Sequence, residues 1–403
     1  MYHKSYPSNN RFGNNRGFKR FRRNNYQSRS VLAKSAISSD KYIKKEPIKI
    51  HKSEAVVIKN RFENFALNEL IKRNILSHGY EIPTPIQDKA IPLIMQGKDV
   101  TGIANTGTGK TAAFLLPLID KIIKDRSEKV LIITPTRELA VQIEDELRAF
   151  STGLNMISLL CIGGASIGRQ MAVLRQNPNI VIGTPGRLKD LLNIGSLNLS
   201  CYRNIVLYEV DRMVDIGFIN DIRFIISLLP KIRQSLFFSA TISQEVNLII
   251  KSFVNNPVTV SVKNHETAGS IEQDIIKVKD GADKLEKLHA LLLKQDEFNK
   301  VLVFGRTKWG VERLSKRLVA KGINAASIHG NKTLNQRLRV LTQFKNSHIQ
   351  VLVATDVAAR GLDIANVSHV INFDEPSSYT NYVHRIGRTG RAQKTGKALT
   401  FIG

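Results

Sequence analysis

The stretch from Ala104 to Thr111 reads ANTGTGKT. Gly107 and Gly109 let a backbone wrap phosphates with its amides, Lys110 offers a point charge to β and γ phosphates, and Thr111 offers a hydroxyl to magnesium. Asn105, Thr106 and Thr108 complete the loop, which lies between a strand-like DVTGI and a helix starting near Lys110. That strand, loop and helix context is the one a phosphate-binding loop needs, because the helix start adds oriented N–H groups and a partial positive charge.

Three further strings carry amides, hydroxyls and helix starts suited to phosphate contacts: PTRELA (Pro135, Thr136, Arg137 onward), the pair Gly163 and Gly164, and TPGRL (Thr184, Pro185, Gly186, Arg187, Leu188). Each alone reads equally well as a turn. Later come ATDVAARGLD, Ala354 to Asp363, and HRIGRTGR, His384 to Arg391. Arg385, Arg388 and Arg391, spaced by glycines, are costly to bury together and useful beside an anion; a solvated basic loop is the alternative.

These strings need strands that end where they begin. VLIIT (130–134), NIVIG (179–183), NIVL (204–207), SLFFS (235–239) and PVTVSV (257–262) read as strands, and Arg137 to about Phe150 as a helix. The apolar runs are continuous, which predicts parallel sheets buried on both faces, with ligands at the carboxyl ends of the strands. Polar, patternless KNHETAGS (263–270) reads as a linker. After it the pattern restarts with QDIIKV, a helix near Lys284 to Leu293, KVLVFG (300–305), a helix through Leu318, and QVLVAT (350–355). The expectation is therefore an α/β chain of two parallel-sheet domains, 61–262 and 271–403.

Composition sets limits on partners. The 403 residues hold 60 Lys plus Arg against 34 Asp plus Glu, a net +26, which points first to nucleic acid and second to an anionic membrane surface. No apolar stretch approaches the roughly 20 residues of a membrane helix. Cys161 and Cys201 stand alone, so neither a disulfide framework nor a four-thiolate zinc site can be drawn, and a reducing compartment is the simplest reading.

Residues 1–60 carry fifteen Lys or Arg and three acids, so +12 of the charge lies there. RFGNNRGFKRFRRNNY (11–26) has no apolar period and reads as a disordered tail. Cations interleaved with Phe12, Phe18, Phe21 and Tyr26 suit loose single-strand binding; a solvated tail is the equal alternative. A mitochondrial presequence would need an amphipathic helix, which the Asn and Gly content disfavours.

Taken together, the motifs from Phe62 to the end resemble the DEAD-box ATP-dependent RNA helicases of superfamily 2, of the bacterial type. The resemblance implies two RecA-like domains, ATP and magnesium (Mg2+) as cofactors, RNA as partner, further partners in ribosome assembly or RNA decay, and a cytoplasmic location. It implies that Gln87 hydrogen-bonds adenine with Tyr80 and Phe62 alongside, and that Asp363 contacts the ribose. Gly305, Arg306, Thr307, Thr355 and Asp356 would join the earlier strings in holding RNA. Asp211, Ser239, Ala240, Thr241 and His384 would couple the two sites, Glu209 would activate water and reach the metal through water, and Arg388 and Arg391 would act as arginine fingers.

Three departures stand out. Where the resemblance calls for Asp-Glu-Ala-Asp the chain has Tyr208, Glu209, Val210 and Asp211. A hard divalent cation wants anionic oxygen, and a tyrosine is neutral near pH 7, so hydrolysis is expected to be weakened. Leu334 replaces a glutamine three residues before Arg337, removing an amide from an RNA or interdomain contact. The chain also stops at Gly403, where the resemblance implies a further helix. Two readings follow: an ATP-dependent RNA helicase with weakened hydrolysis, or a non-catalytic clamp that holds or anneals RNA. A DNA translocase is disfavoured by the adenine element at Gln87.

Overall fold

The computed structural model describes residues 58–105, 107–262, 271–359, 364, 367–390 and 396–403. The expectations for the leader before residue 58, for Thr106, for the linker 263–270, and for Asp363 and Arg391 lie outside them.

Strands β1 (Val100–Ala104), β2 (Val130–Ile133), β3 (Ser158–Cys161), β4 (Ile180–Gly183), β5 (Asn204–Tyr208), β6 (Gln234–Ser239) and β7 (Val258–Val262) form one sheet in the order β3-β4-β2-β5-β6-β1-β7. Every pairing is parallel. A second parallel sheet holds β8 (Ile271–Lys277), β9 (Val301–Gly305), β10 (Ala325–Ile328), β11 (Val351–Thr355), β12 (His369–Asn372) and β13 (Gly396–Ile402), ordered β10-β11-β9-β12-β13-β8. The two parallel-sheet domains expected from the apolar runs, RecA-like as the resemblance implies, are present.

The continuous apolar runs split by alternation. Val130 and Ile132 of β2 enter one core and Leu131 and Ile133 the other, because successive side chains leave a strand on opposite faces. In β5, Val206 and Tyr208 share the first core with Phe114, while Ile205 and Leu207 enter the second. The face that receives residue 208 is thus the face covered by helix Lys110–Lys124. Outer strands look different: in β7 Val260 and Val262 are buried but Thr259 and Ser261 are exposed, so PVTVSV is an edge rather than an inner strand.

Helix starts gather at the carboxyl edge. Thr136 and Thr307 cap helices Arg137–Phe150 and Lys308–Ala320, accepting from the amides of Leu139 at 3.3 Å and Gly310 at 3.0 Å. Asp280 accepts from Ala282 and Asp283, which starts the helix at Gly281 rather than near Lys284. No helix among the described residues is long and apolar enough to cross a membrane.

Candidate nucleotide and RNA sites

The phosphate loop follows β1 directly. Gly107 and Gly109 have φ of 82° and 86°, the left-handed region glycine tolerates. A Cβ at Gly109 would also fall 2.4 Å from Nε2 of Gln87. Gln87 is fully buried, accepts from the Thr84 amide at 2.8 Å and donates to the Gly109 carbonyl at 3.0 Å. Lys110 is buried and donates to the Ala104 carbonyl at 2.6 Å, and Thr108 donates to the Asn105 carbonyl at 2.8 Å. The loop therefore folds around a buried ammonium at a helix N-terminus, a cradle that fits a triphosphate.

Of the adenine trio, Gln87 is bonded to this loop through the Gly109 carbonyl. Phe62 is buried in the core, edge-on to Phe65 at 6.0 Å, and Tyr80 meets Phe150 edge-on at 5.6 Å. The segment before Phe62 is pinned by Asp88, whose carboxylate accepts from the amides of Lys59 at 3.1 Å and Asn60 at 3.0 Å. Sequence reasoning passed over Asp88; its place beside the Thr84-x-x-Gln87 capping signature was the available signal.

Tyr208 closes β5 with its hydroxyl 3.4 Å from the Thr111 hydroxyl and its ring edge-on to Phe114 at 5.5 Å. The Lys110 ammonium lies 5.7 Å from the ring centroid. Next along the chain, Glu209 is held at φ 57°, its amide donating to the Phe238 carbonyl at 2.7 Å. Its carboxylate pairs with Arg212 at 2.7 Å. Burial pushes the Glu209 carboxyl up, but Arg212, Lys110 and, from the second domain, Arg388 together hold it below the ordinary carboxylate value.

Asp211 ties this turn to the end of β6. Its carboxylate accepts from the Thr241 amide at 3.0 Å and hydroxyl at 2.9 Å, and Ser239 donates to the Thr241 carbonyl at 2.8 Å. Four of the expected coupling residues, Asp211 and Ser239 through Thr241, thus form one bonded unit, with Ala240 between its partners.

The RNA candidates of the first domain also converge. The Arg137 guanidinium lies over the glycine pair: a Cβ on Gly163 would sit 2.9 Å from it and one on Gly164 2.7 Å. Arg187 donates to the Ala165 carbonyl at 3.1 Å and to Gln170 at 3.0 Å, joining TPGRL to the same loop. Thr184 receives the start of helix Pro185–Asn193, and Gln170, itself buried, donates to the Ile162 carbonyl at 3.0 Å. Pro135 sits in the bend after β2, and Gly186 in the first turn of helix Pro185–Asn193.

In the second domain, the Arg306 amide donates to Asp374 at 2.7 Å beside Gly305 and Thr307. Asp356, expected among the RNA contacts, follows Thr355, and its carboxylate is committed within the chain. Both its oxygens accept from Arg385, at 2.6 and 2.7 Å. Arg385 is buried and also donates to Asn372 at 3.1 Å and to the Asp374 carbonyl at 2.6 Å. The anion that Arg385 needs is therefore in the chain. Arg388, buried to 6% exposure, donates to the His384 carbonyl at 3.4 Å.

An ion pair spans the domains: Arg337 meets Glu138 of PTRELA at 2.9 Å, the glutamate side chain being 2% exposed. Leu334, at the start of the same helix, packs on the first domain's core. The substitution at 334 has exchanged an amide for an apolar contact across the domains. Glu138 was not singled out from the sequence, although an acid directly after Arg137 is hard to reconcile with a purely phosphate-facing turn.

Comparison with known proteins decides the family. Residues 84–249 match the family described as DEAD/DEAH box helicase, and residues 283–393 the helicase conserved C-terminal domain. The chain is 44% identical over 344 residues to the ATP-dependent RNA helicase CshA of Limosilactobacillus reuteri, an alignment covering 85% of this chain and 69% of that protein. The chain belongs to the DEAD-box RNA helicases. The DEAD-box helicase CshA of Geobacillus kaustophilus is 45% identical, with 85% of this chain and 73% of the relative covered. Among solved structures, S. cerevisiae Dbp5 bound to RNA and ADP BeF3 superposes with a TM-score of 0.75 at 29% identity, over 85% of this chain and 90% of that one. As a DEAD-box protein the chain carries an ATP-dependent, RNA-binding helicase architecture.

Proposed function

We propose that the chain binds ATP on the loop Ala104–Thr111 and single-stranded RNA along the carboxyl edges of both sheets, locally separating short RNA duplexes. Lys110 meets the β and γ phosphates, Gln87 the adenine with Phe62 and Tyr80, and Asp363 the ribose. Arg388 and Arg391 offset charge on the transferring phosphate, and Glu209 orients and deprotonates the attacking water. RNA lies on Pro135 to Arg137, Gly163 to Gly164, Thr184 to Arg187, Gly305 to Thr307, and Thr355 to Asp356. Backbone contacts of this kind prefer RNA without reading sequence.

Hydrolysis is slow in this reading, and the placement of Tyr208 is the observation that carries it. The donors around Thr111 do not fit a resident metal: one hydroxyl, one carboxylate already paired with Arg212, and a neutral phenol at the position where anionic oxygen is wanted. For a magnesium ion carried in on the triphosphate, Thr111 and, through water, Glu209 would be the chain's contacts, and the ion would supply charge neutralisation there. Losing about 3 to 4 kcal/mol of transition-state stabilisation slows turnover by about a hundred- to a thousandfold. The same residue favours a second reading, an ATP-gated clamp that holds RNA without turnover.

The test is to follow RNA anisotropy, phosphate release and displacement of a short RNA duplex on one preparation. ATP-dependent RNA binding with slow, RNA-stimulated release and weak displacement supports the helicase reading. Tight ATP-dependent binding with no release selects the clamp, and RNA binding indifferent to ATP overturns both.

A further inference from the structure

Helix Lys308–Ala320 carries Trp309, Arg313 and Arg317 four residues apart, a spacing that sets them on one face with about 6 Å of rise between neighbours. Trp309 is the only tryptophan of the chain and is 74% exposed. Both arginines are exposed as well. Nearby acids are engaged elsewhere: Glu312 with Lys316 at 3.6 Å and Lys332 at 3.2 Å, and Glu286 with Lys321 at 2.8 Å. Among the described residues no carboxylate pairs with Arg313 or Arg317.

These three side chains border a cleft of about 470 Å³ between this helix and helix Gly281–Leu292. Its floor holds Phe373, with the Lys284 ammonium 4.6 Å from the ring centroid and 3.5 Å from Asp374. The cleft reaches Gly305 and Thr307, two of the residues assigned above to the RNA. Packing gives no reason for the indole, since it leaves most of its surface in water.

We propose that this cleft takes the nucleotide of single-stranded RNA that continues past the Gly305–Thr307 contact, with its base stacked on Trp309 and its flanking phosphates on Arg313 and Arg317. The proposal extends the RNA-binding reading and rests on it. An exposed ring beside unneutralised guanidinium groups is the chemistry of sequence-tolerant strand binding. The cleft is bordered by three cations, Lys284, Arg313 and Arg317, against one carboxylate, Asp374, a charge balance that suits a polyanionic strand better than a protein surface.

Because Trp309 is the only tryptophan, its emission reports the site directly. The chain, held with a non-hydrolysable ATP analogue, is titrated with fluorescein-labelled uridine hexamer and dodecamer while anisotropy reports binding and tryptophan emission reports stacking. The dodecamer quenches Trp309 and binds about tenfold more tightly than the hexamer; Trp309→Ala loses that gap and Trp309→Phe keeps most of it. Arg313→Gln with Arg317→Gln lowers the salt slope of dodecamer binding by about two. Binding that rises in anisotropy with unchanged emission and no length dependence overturns the proposal while leaving the RNA reading intact. Absence of any anisotropy change overturns both, and quenching by an acidic peptide but not by RNA assigns the cleft to a protein and overturns it too.

Discussion

The first sheet presents two anion-facing regions along one carboxyl edge, and they have been treated differently. At the RNA end, Arg137 rests on the glycine pair Gly163 and Gly164, and Arg187 is aimed by the Ala165 carbonyl and Gln170. Arg137 is positioned there by the glycine backbone, and Arg187 by neutral acceptors together with a looser 3.6 Å contact to the exposed Asp190, so charge remains for phosphates. At the nucleotide end, Lys110, Arg212 and Arg388 surround a single carboxylate, Glu209, and the neighbouring position holds a phenol packed on Phe114. Positive charge for grasping a triphosphate is retained, whereas the anionic oxygen for organising a metal is not. Binding and turnover therefore depend on separable residues of one edge.

The largest expected effect that sharpens this contrast comes from Arg388→Ala, which should remove about 10³ to 10⁵ of the remaining ATP hydrolysis, read as RNA-stimulated phosphate release. RNA affinity measured without nucleotide should change little, since Arg137 and Arg187 are untouched. Equal losses in both assays would merge the two regions into one.

Next comes the pair linking the domains. Arg337→Met leaves the nearly fully buried Glu138 without its cation and should cost about 3 to 5 kcal/mol of the closed, RNA-gripping arrangement, seen as weaker RNA binding in the presence of an ATP analogue. The double variant Glu138→Met, Arg337→Met should recover most of that loss, because an apolar pair beside Leu334 no longer strands a charge. Additive losses would show that the pair does not act across the domains.

The smallest effect concerns pH. The folded-state pKa of Glu209 is depressed, so its ionised form, and the stability that form contributes, persists above the unfolded value near 4.5 and is lost only as pH falls through the lower folded value. Phosphate release should then be flat in Glu209 ionisation from pH 8 down to about 5. An acid limb between pH 6 and 7 would place the carboxyl in a drier, less cationic setting than the one seen.

Much of the fold was legible because a doubly covered parallel sheet needs continuous apolar strands, and VLII, IVIG and VLVAT are such strands. The edges were harder: PVTVSV has the β-branched content of a central strand, and its exposed Thr259 and Ser261 become meaningful only beside the sheet order. At the site, the Asp211 to Thr241 link, across 30 residues, was expected only through the resemblance, whereas the phosphate loop and the glycine pair follow from short local strings. Arg385 did not, because its bidentate partner Asp356 is 29 residues away and a basic loop reads the same whether its anion is a ligand or a buried aspartate. Phe62 and Tyr80 were placed beside adenine by the resemblance, and no linear motif reveals the edge-on contacts each also makes with Phe65 and Phe150.

The central claim is that the missing charge at position 208 limits turnover. RNA-stimulated phosphate release should be compared for the unaltered chain, Tyr208→Asp and Tyr208→Asn, with magnesium and then manganese. Replacing the ring loses an edge contact worth about 1 kcal/mol, and the asparagine variant controls for that loss. The account predicts that Tyr208→Asp releases phosphate about a hundred- to a thousandfold faster while Tyr208→Asn stays slow. Equal rates for the unaltered chain and Tyr208→Asp, with both variants folded, would contradict it.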